Sequence, residues 1–121
     1  MTNKAKNPNV KKNFDLEERT ANFGEAIIDF VKTLPRNVVT IPLISQLVRA
    51  GTSIGANYME ADGASTKKEF RHKISLSRTE AKESRPWLRM IARAVPEQKD
   101  AARRLWQEVQ ELVFIFSAIL K

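Results

Sequence analysis

The chain has 121 residues, the length of one domain, and can bury a hydrophobic core without covalent cross-links. It contains no cysteine, which excludes disulfides and thiolate metal sites. No apolar run approaches the roughly 20 residues of a membrane-spanning helix, and the polar, basic N-terminus lacks a signal segment. We therefore expect a cytoplasmic protein without membrane contact, whose net charge of +7 indicates either an anionic partner or a well-solvated surface.

The first 13 residues carry four lysines and no acidic residue, and we expect them to form a disordered basic tail before a domain over 14–121. Asp15 and Glu18 resemble a capping box that starts a first helix. This helix ends near Leu34, because the residue before Pro35 avoids the α conformation. Its apolar positions recur at helical spacing. They are Leu16, Phe23, Ile27, Phe30, Val31 and Leu34.

The second predicted helix follows a cap at Asn37 or Thr40, with Pro42 in its first turn, where the missing N–H is tolerated. Asp62 and Gly63 end it. Inside it, Gly51 and Gly55 permit another backbone to approach closely. Its apolar face comprises Ile44, Leu47, Val48, Ile54 and Tyr58.

The third predicted helix begins at a Thr66–Glu69 capping box and ends before Pro96. Pro86 interrupts the pattern and should kink the helix, because it cannot donate to the Lys82 carbonyl. The core face follows steps of four and three residues. It comprises Phe70, Ile74, Ser77, Ala81, Ser84, Leu88, Ile91 and Val95.

The fourth predicted helix starts at Glu97 and carries an apolar band wider than one core face requires. The band indicates either a subunit interface or the central helix of a bundle. Short connections between the helices favour antiparallel neighbours. The sequence therefore predicts an all-α protein, an antiparallel up-down-up-down four-helix bundle. The band comprises Leu105, Trp106, Val109, Leu112, Val113, Phe116, Ile119 and Leu120.

A polar stripe runs beside the apolar face of the second helix, with members three or four residues apart. Glu80 and Glu83 of the third helix are candidate partners for Arg49. We hypothesise a partly buried Arg49–Glu80 pair with the other members in its network, serving either packing and register or function. The stripe consists of Arg49, Ser53, Asn57 and Glu60.

A basic stripe marks the third helix, where residues 65–95 carry nine basic and three acidic residues. Its members share one helical face away from the core residues. A row of guanidinium groups suits phosphate oxygens, since arginine offers paired donors and stays charged. The stripe therefore predicts nucleic-acid backbone contact, and the alternative is an ordinary solvated face. Its members are Lys67, Arg71, Arg78, Lys82, Arg85, Arg89 and Arg93.

Residue patterns for catalysis and metal binding are weak in this sequence. His72 is the only histidine, and Glu69 with His72 supplies only half of a di-iron bundle motif. No glycine-rich phosphate loop or serine–histidine–acid spacing is recognisable. We expect no catalytic residues, no metal and no cofactor.

The segment RAGTSIGANYMEADG, the following Lys-Lys-Glu-Phe and the later EAKESRPWLRM resemble the four-helix bundle proteins encoded in intervening sequences of bacterial large-subunit ribosomal RNA genes. The resemblance covers roughly residues 14–120. This sequence departs from the family pattern at Gly51, Gly55, the Asp62-Gly63 pair and Pro86. The matching positions are Arg49, Ala50, Ser53, Ile54, Asn57, Glu60, Phe70, Glu80 or Glu83, Trp87 and Leu88.

The resemblance implies an antiparallel four-helix bundle, and a homo-oligomer that is a pentamer in several members. It also implies a relation to the accessory variability determinant of diversity-generating retroelements, a basic pentamer that binds a reverse transcriptase and nucleic acid. We accordingly expect a non-catalytic homo-oligomer that binds RNA or DNA through the basic face and the lysine-rich tail. The alternatives are an accessory subunit for a protein such as a reverse transcriptase, and a structural oligomer whose charge serves only solubility.

Overall fold

The computed structural model describes residues 8–121, which form four long α-helices and no β-strand. Helix α1 spans Pro8–Val31, α2 Thr40–Asp62, α3 Lys67–Ala94 and α4 Lys99–Leu120, and a 3₁₀ turn at Pro96–Gln98 precedes α4. The predicted all-α, four-helix class is confirmed.

Contacts between side chains establish that sequential helices run antiparallel. Between α2 and α3, Arg49 pairs with Glu80 and Glu83 near one end, and Glu60 pairs with Lys73 near the other. Each step forward along α2 therefore corresponds to a step backward along α3. Gly51 lies against Ile27 and Gly55 against Thr20, so α1 and α2 have the same relation.

The first helix begins earlier than the sequence pattern indicated. It starts at Pro8 and continues through Asp15 and Glu18, so their predicted role as a capping box is wrong. Proline is favoured in a first helical turn because its missing N–H has no partner there. Of the predicted tail, residues 1–7 lie outside the described part of the chain.

The side chain of Asn37, three residues before α2, accepts hydrogen bonds from backbone N–H groups at the start of this helix. Its Oδ1 accepts from the backbone N–H groups of Val39 and Thr40, both at 2.9 Å. Thr40 Oγ1 accepts from the Asn37 N–H at 3.0 Å and donates to the Pro35 carbonyl at 2.6 Å. Of the two predicted alternatives, Asn37 accepts from the first N–H groups of α2, whereas Thr40 is already the first residue of the helix and Val39 holds the N-cap position. The turn that these bonds fix brings α2 back along α1.

The Thr66–Glu69 capping box at the start of α3 is confirmed. Thr66 Oγ1 accepts from the Glu69 N–H at 3.0 Å, and Glu69 Oε1 accepts from the Ser65 N–H at 2.9 Å. Two backbone donors without helical partners are thereby satisfied.

Replacing Thr66 with alanine is expected to lower the free energy of unfolding by about 1 kcal/mol, because the Glu69 N–H loses its acceptor. Urea denaturation measures this change. Ser65→Ala is the matched control, since only the backbone N–H of Ser65 takes part in the box. Equal stability of the two variants would contradict the cap.

Pro86 lies inside α3, which continues through it to Ala94. A proline at this position cannot bond to the Lys82 carbonyl four residues earlier. Arg85 Nε donates to that carbonyl at 3.5 Å, which partly replaces the missing bond. The helix therefore continues through Pro86 as the sequence predicts, and the kink at this residue stays a prediction.

The core comprises the apolar faces that the sequence periodicity indicated. Every core position predicted for the third helix is buried except Phe70, which packs partly exposed against the core. The two buried serines of this face have hydrogen-bond partners: Ser77 Oγ donates to the Ile54 carbonyl, and Ser84 Oγ donates to the Glu80 carbonyl. The largest fully buried side chains include Phe23, Phe116, Ile27, Leu47, Ile54, Ile74 and Leu88.

Candidate nucleic-acid interface

The predicted basic stripe forms one edge of α3, on the side that faces α4. Arg78 and Arg85 are half-buried there, and the other five members are exposed. A helical face turned away from the core predicts seven solvent-facing side chains, so these two arginines depart from the prediction. The two half-buried arginines differ because α4 packs beside their part of the stripe, and their long side chains extend across it.

Three arginines spaced by seven residues bridge α3 to α4. Arg71 Nη2 donates to the Leu120 carbonyl at 2.7 Å, Arg78 Nη1 to Ser117 Oγ at 3.3 Å, and Arg85 Nη1 to Gln110 Oε1 at 2.6 Å. All three acceptors are neutral. These bonds orient the guanidinium groups without neutralising their charge.

Ion pairs elsewhere in the described chain leave the basic stripe unneutralised. They join Arg19 to Glu108, Arg49 to Glu80 and Glu83, and Lys73 to Glu60. Within residues 16–121, no member of the stripe forms an ion pair. An uncompensated row of cations raises the local positive potential and attracts anions.

Helix α4 contributes a second stripe to the same surface. Its members recur at steps of three and four residues and therefore share a face. Gln110 and Ser117, which accept from the α3 arginines, belong to it. We call the two stripes together the basic groove. The α4 members are Lys99, Arg103, Trp106, Gln110, Phe114, Ser117 and Lys121.

Two surface depressions lie along the basic groove, and no acidic residue lines either of them. The first is lined by Lys68, Arg71, His72, Ser75, Arg78, Ser117, Leu120 and Lys121. The second is lined by Leu88, Arg89, Ala92, Lys99, Ala102, Arg103 and Trp106. Cationic donors and hydroxyl groups are the chemistry that phosphate oxygens require.

Sequence reasoning missed the α4 side of the groove. Lys99, Arg103 and Lys121 belong to a segment of zero net charge, so charge counting did not single them out. Trp106 was assigned to the apolar band and Phe114 to no group. The signal was present in the spacing, because an antiparallel α4 must place one face beside the α3 stripe.

The predicted polar stripe of α2 divides into separate interactions. Arg49 Nη1 donates to Glu80 Oε1 at 3.1 Å, and Arg49 Nη2 bonds to Glu83 Oε2. The predicted Arg49–Glu80 pair is present. Its side chains are 45% and 21% exposed, so it is a clamp between α2 and α3 at the protein surface.

The other members of the polar stripe do not join this clamp, which corrects the expected single network. Ser53 Oγ donates to the Arg49 carbonyl at 2.6 Å, and Asn57 Nδ2 donates to the Ser53 carbonyl at 3.0 Å. Carbonyls one turn earlier thus satisfy both side chains. Glu60 pairs with Lys73 at 2.5 Å as a second bridge between the helices.

Arg49→Met is expected to lower the free energy of unfolding by about 0.5 to 1 kcal/mol. The substitution leaves Glu80 and Glu83 as neighbouring like charges on α3. Lys73→Met is the matched control, because it breaks one bridge between the same helices at a more exposed acid. Chemical denaturation with light scattering checks both variants. If stability and assembly size are unchanged in Arg49→Met, the clamp does not stabilise the bundle.

Tyr58 and Trp87 are both unsuited to stacking on nucleic-acid bases. Tyr58 is 2% exposed. Its burial, with Asp62 and Glu17 nearby, raises the pKa of the Tyr58 hydroxyl to about 12. Trp87 is half-buried, and its Nε1 donates to Glu83 Oε2 at 3.5 Å. Both rings serve the packing around α2 and α3.

A different groove lies between α1 and α2. Glutamates 17, 18 and 25 line it, together with Ile28 and Met59, which are 43% and 48% exposed. This surface carries charge opposite to that of the basic groove. Acidic and apolar groups together suit a basic protein surface rather than a polyanion.

Across the described range 16–121, no cluster of three or more histidine, cysteine or acidic side chains could hold a metal ion. None of the described helices is both long enough and apolar enough to span a membrane.

Four antiparallel helices with a basic groove along one flank define the molecule as a four-helix bundle protein with a candidate polyanion-binding surface. Residues 12–118 match the sequence profile of the 23S rRNA-intervening sequence protein family. The chain belongs to this family, which confirms the family resemblance seen in the sequence.

A solved structure extends the comparison. The chain is similar to a protein of unknown function from the S23 ribosomal protein family of Bacteroides thetaiotaomicron, known from a crystal structure. The TM-score is 0.80 and the identity 25%, over 90% of this chain and 97% of the other. Curated protein sequences give no match.

Proposed function

We propose that the protein is a non-catalytic nucleic-acid-binding protein that contacts the phosphate backbone through the basic groove. The observation that carries this proposal is the unneutralised row of cations on α3, whose bridging arginines bond to neutral acceptors. Membership of a family named for an intervening sequence of 23S rRNA supports RNA as the natural nucleic acid.

The basic groove is positively charged and is long enough to contact several consecutive phosphates of a nucleic-acid backbone. From Lys67 to Arg93 the stripe spans 26 helical steps, which is about 39 Å at 1.5 Å per residue. A strand laid along it meets cations from both α3 and α4. Contact of this kind is independent of base sequence, and its affinity falls steeply with salt because counterions are released.

Fluorescence anisotropy with labelled random-sequence RNA and DNA tests the proposal. We expect binding at 50 mM salt, with log affinity falling linearly against log salt concentration and a slope of about −0.7 to −0.9 per phosphate contacted. Absence of binding at low salt, or affinity unchanged between 50 and 200 mM salt, would contradict phosphate-driven contact.

A second candidate function is that of an accessory subunit that binds another protein or another copy of itself. The acidic groove between α1 and α2 favours it, because Ile28 and Met59 expose apolar surface there. Homo-oligomerisation, a pentamer included, belongs to this proposal, as does a reverse-transcriptase partner. Light scattering measures assembly size, and Ile28→Glu with Met59→Glu should reduce it if this groove is the interface.

A further inference from the structure

Two aromatic side chains remain exposed on the basic groove, and the packing of the bundle does not use them fully. Trp106 is 38% exposed and Phe114 is 58% exposed, whereas Phe23 and Phe116 are buried in the core. Both rings therefore present aromatic surface to solvent that is available to a partner. Both lie on the α4 stripe, between its cationic ends.

Each ring stands among groups that point to an anionic partner. Trp106 shares a depression with Arg89, Lys99 and Arg103. Phe114 lies between Gln110 and Ser117, which accept from Arg85 and Arg78. Rings alternating with guanidinium groups along one groove form the combination that binds unpaired nucleotides, in which cations hold the backbone and rings stack on bases.

We propose that the basic groove takes single-stranded nucleic acid, with unpaired bases stacked on Trp106 and Phe114 and phosphates along the α3 cations. This inference rests on the proposed function and narrows its ligand. In a duplex the base faces are stacked on one another and unavailable, so only phosphate contact remains. A single strand adds a sequence-tolerant gain from each ring.

The chemistry of the groove favours this ligand over a protein surface. Neither stripe contains an acidic residue, so a protein docked here would need a long acidic face with apolar pockets for two rings. Single-stranded RNA and DNA both carry evenly spaced negative charge and an aromatic base at every step. Every base offers a π-face, so the rings require no particular sequence.

The test compares a 12-nucleotide single strand with a duplex of the same sequence, as RNA and as DNA, by anisotropy at fixed salt. We expect the wild type to prefer the single strand, by roughly 10-fold for each stacked base. Trp106→Ala with Phe114→Ala should lose that preference and retain duplex affinity. Trp106→Phe should retain most of it. In these variants the slope of log affinity against log salt concentration should be unchanged, because the phosphate contacts remain.

Tryptophan emission gives a second, direct readout. The chain has two tryptophans, so Trp87→Phe leaves Trp106 as the sole emitter. Stacking of a base on the indole should quench it when a single strand is added, and a duplex should quench it much less. Trp106 and Phe114 are surface positions, so replacing them should not unfold the bundle, and circular dichroism checks this.

The possible failures are distinguishable. Duplex and single strand bound equally, with no quenching, would overturn the inference and leave the proposed function standing. No binding of either ligand at low salt would overturn both. A wild-type oligomer that dissociates when the two rings are removed would also overturn the inference, because the rings would then form an interface between copies.

Discussion

Reversing the charge of Arg78, Arg85 and Arg89 to glutamate is expected to weaken nucleic-acid binding by at least about 100-fold at 50 mM salt. Each change removes a phosphate contact and places a repelling carboxylate in the groove. Loss of three contacts should also reduce the slope of log affinity against log salt by about 2 to 3. Anisotropy across a salt series measures both quantities.

The control must separate the groove from net charge. Lys32, Arg36 and Arg104 are exposed residues outside both stripes. Their triple change to glutamate lowers the formal charge from +7 to +1, as the groove variant does, since three positive charges become three negative ones. We expect the control to lose far less affinity. Similar losses would show that net charge, not the groove, governs binding.

The groove variant should remain folded. The bonds from Arg78 and Arg85 end on half-buried neutral groups of α4, and no carboxylate loses an ion-pair partner. The Gln110 amide can donate to a glutamate at position 85. Thermal unfolding should therefore change little. A collapse in stability would mean that the three arginines hold α3 to α4 rather than a ligand.

Helical periodicity made the core and the bundle predictable from the sequence. Ile74, Ala81 and Leu88 recur every seven residues, and all three are buried. The same rule placed the basic stripe on one edge of α3, because steps of four and three residues leave one face. Such reasoning works where one helix is considered by itself.

Features that depend on which helix lies beside which were harder to predict. Phe114 follows the helical spacing of the α4 stripe, but only the antiparallel packing of α4 on α3 places that stripe on the groove. The start of α1 was also missed, because the Asp15–Glu18 pattern fits a helix interior as well as a cap. Ser53 and Asn57 found backbone partners, which short polar side chains in helices commonly do.

Gly51 and Gly24 offer a test of the packing between α1 and α2. Replacing each of these glycines with alanine should change the free energy of unfolding in opposite directions. A methyl group at position 51 would lie 2.9 Å from Ile27 Cγ1, and Ile27 is fully buried. A methyl group at position 24 would meet nothing closer than 3.8 Å. Alanine in place of glycine gains about 1 kcal/mol in a helix interior when nothing obstructs it.

Gly24→Ala is therefore expected to raise the free energy of unfolding by about 0.5 to 1 kcal/mol. Gly51→Ala is expected to lower it by about 1 to 2 kcal/mol, because the displaced Ile27 has no free space and overpacking outweighs the gain in helix propensity. Urea denaturation of the two variants measures the difference. Ile27→Val, which shortens the obstructing side chain, should recover part of the loss in the Gly51→Ala background. Stabilisation by both alanines would mean that α1 lies farther from α2 than the contact at Gly51 requires.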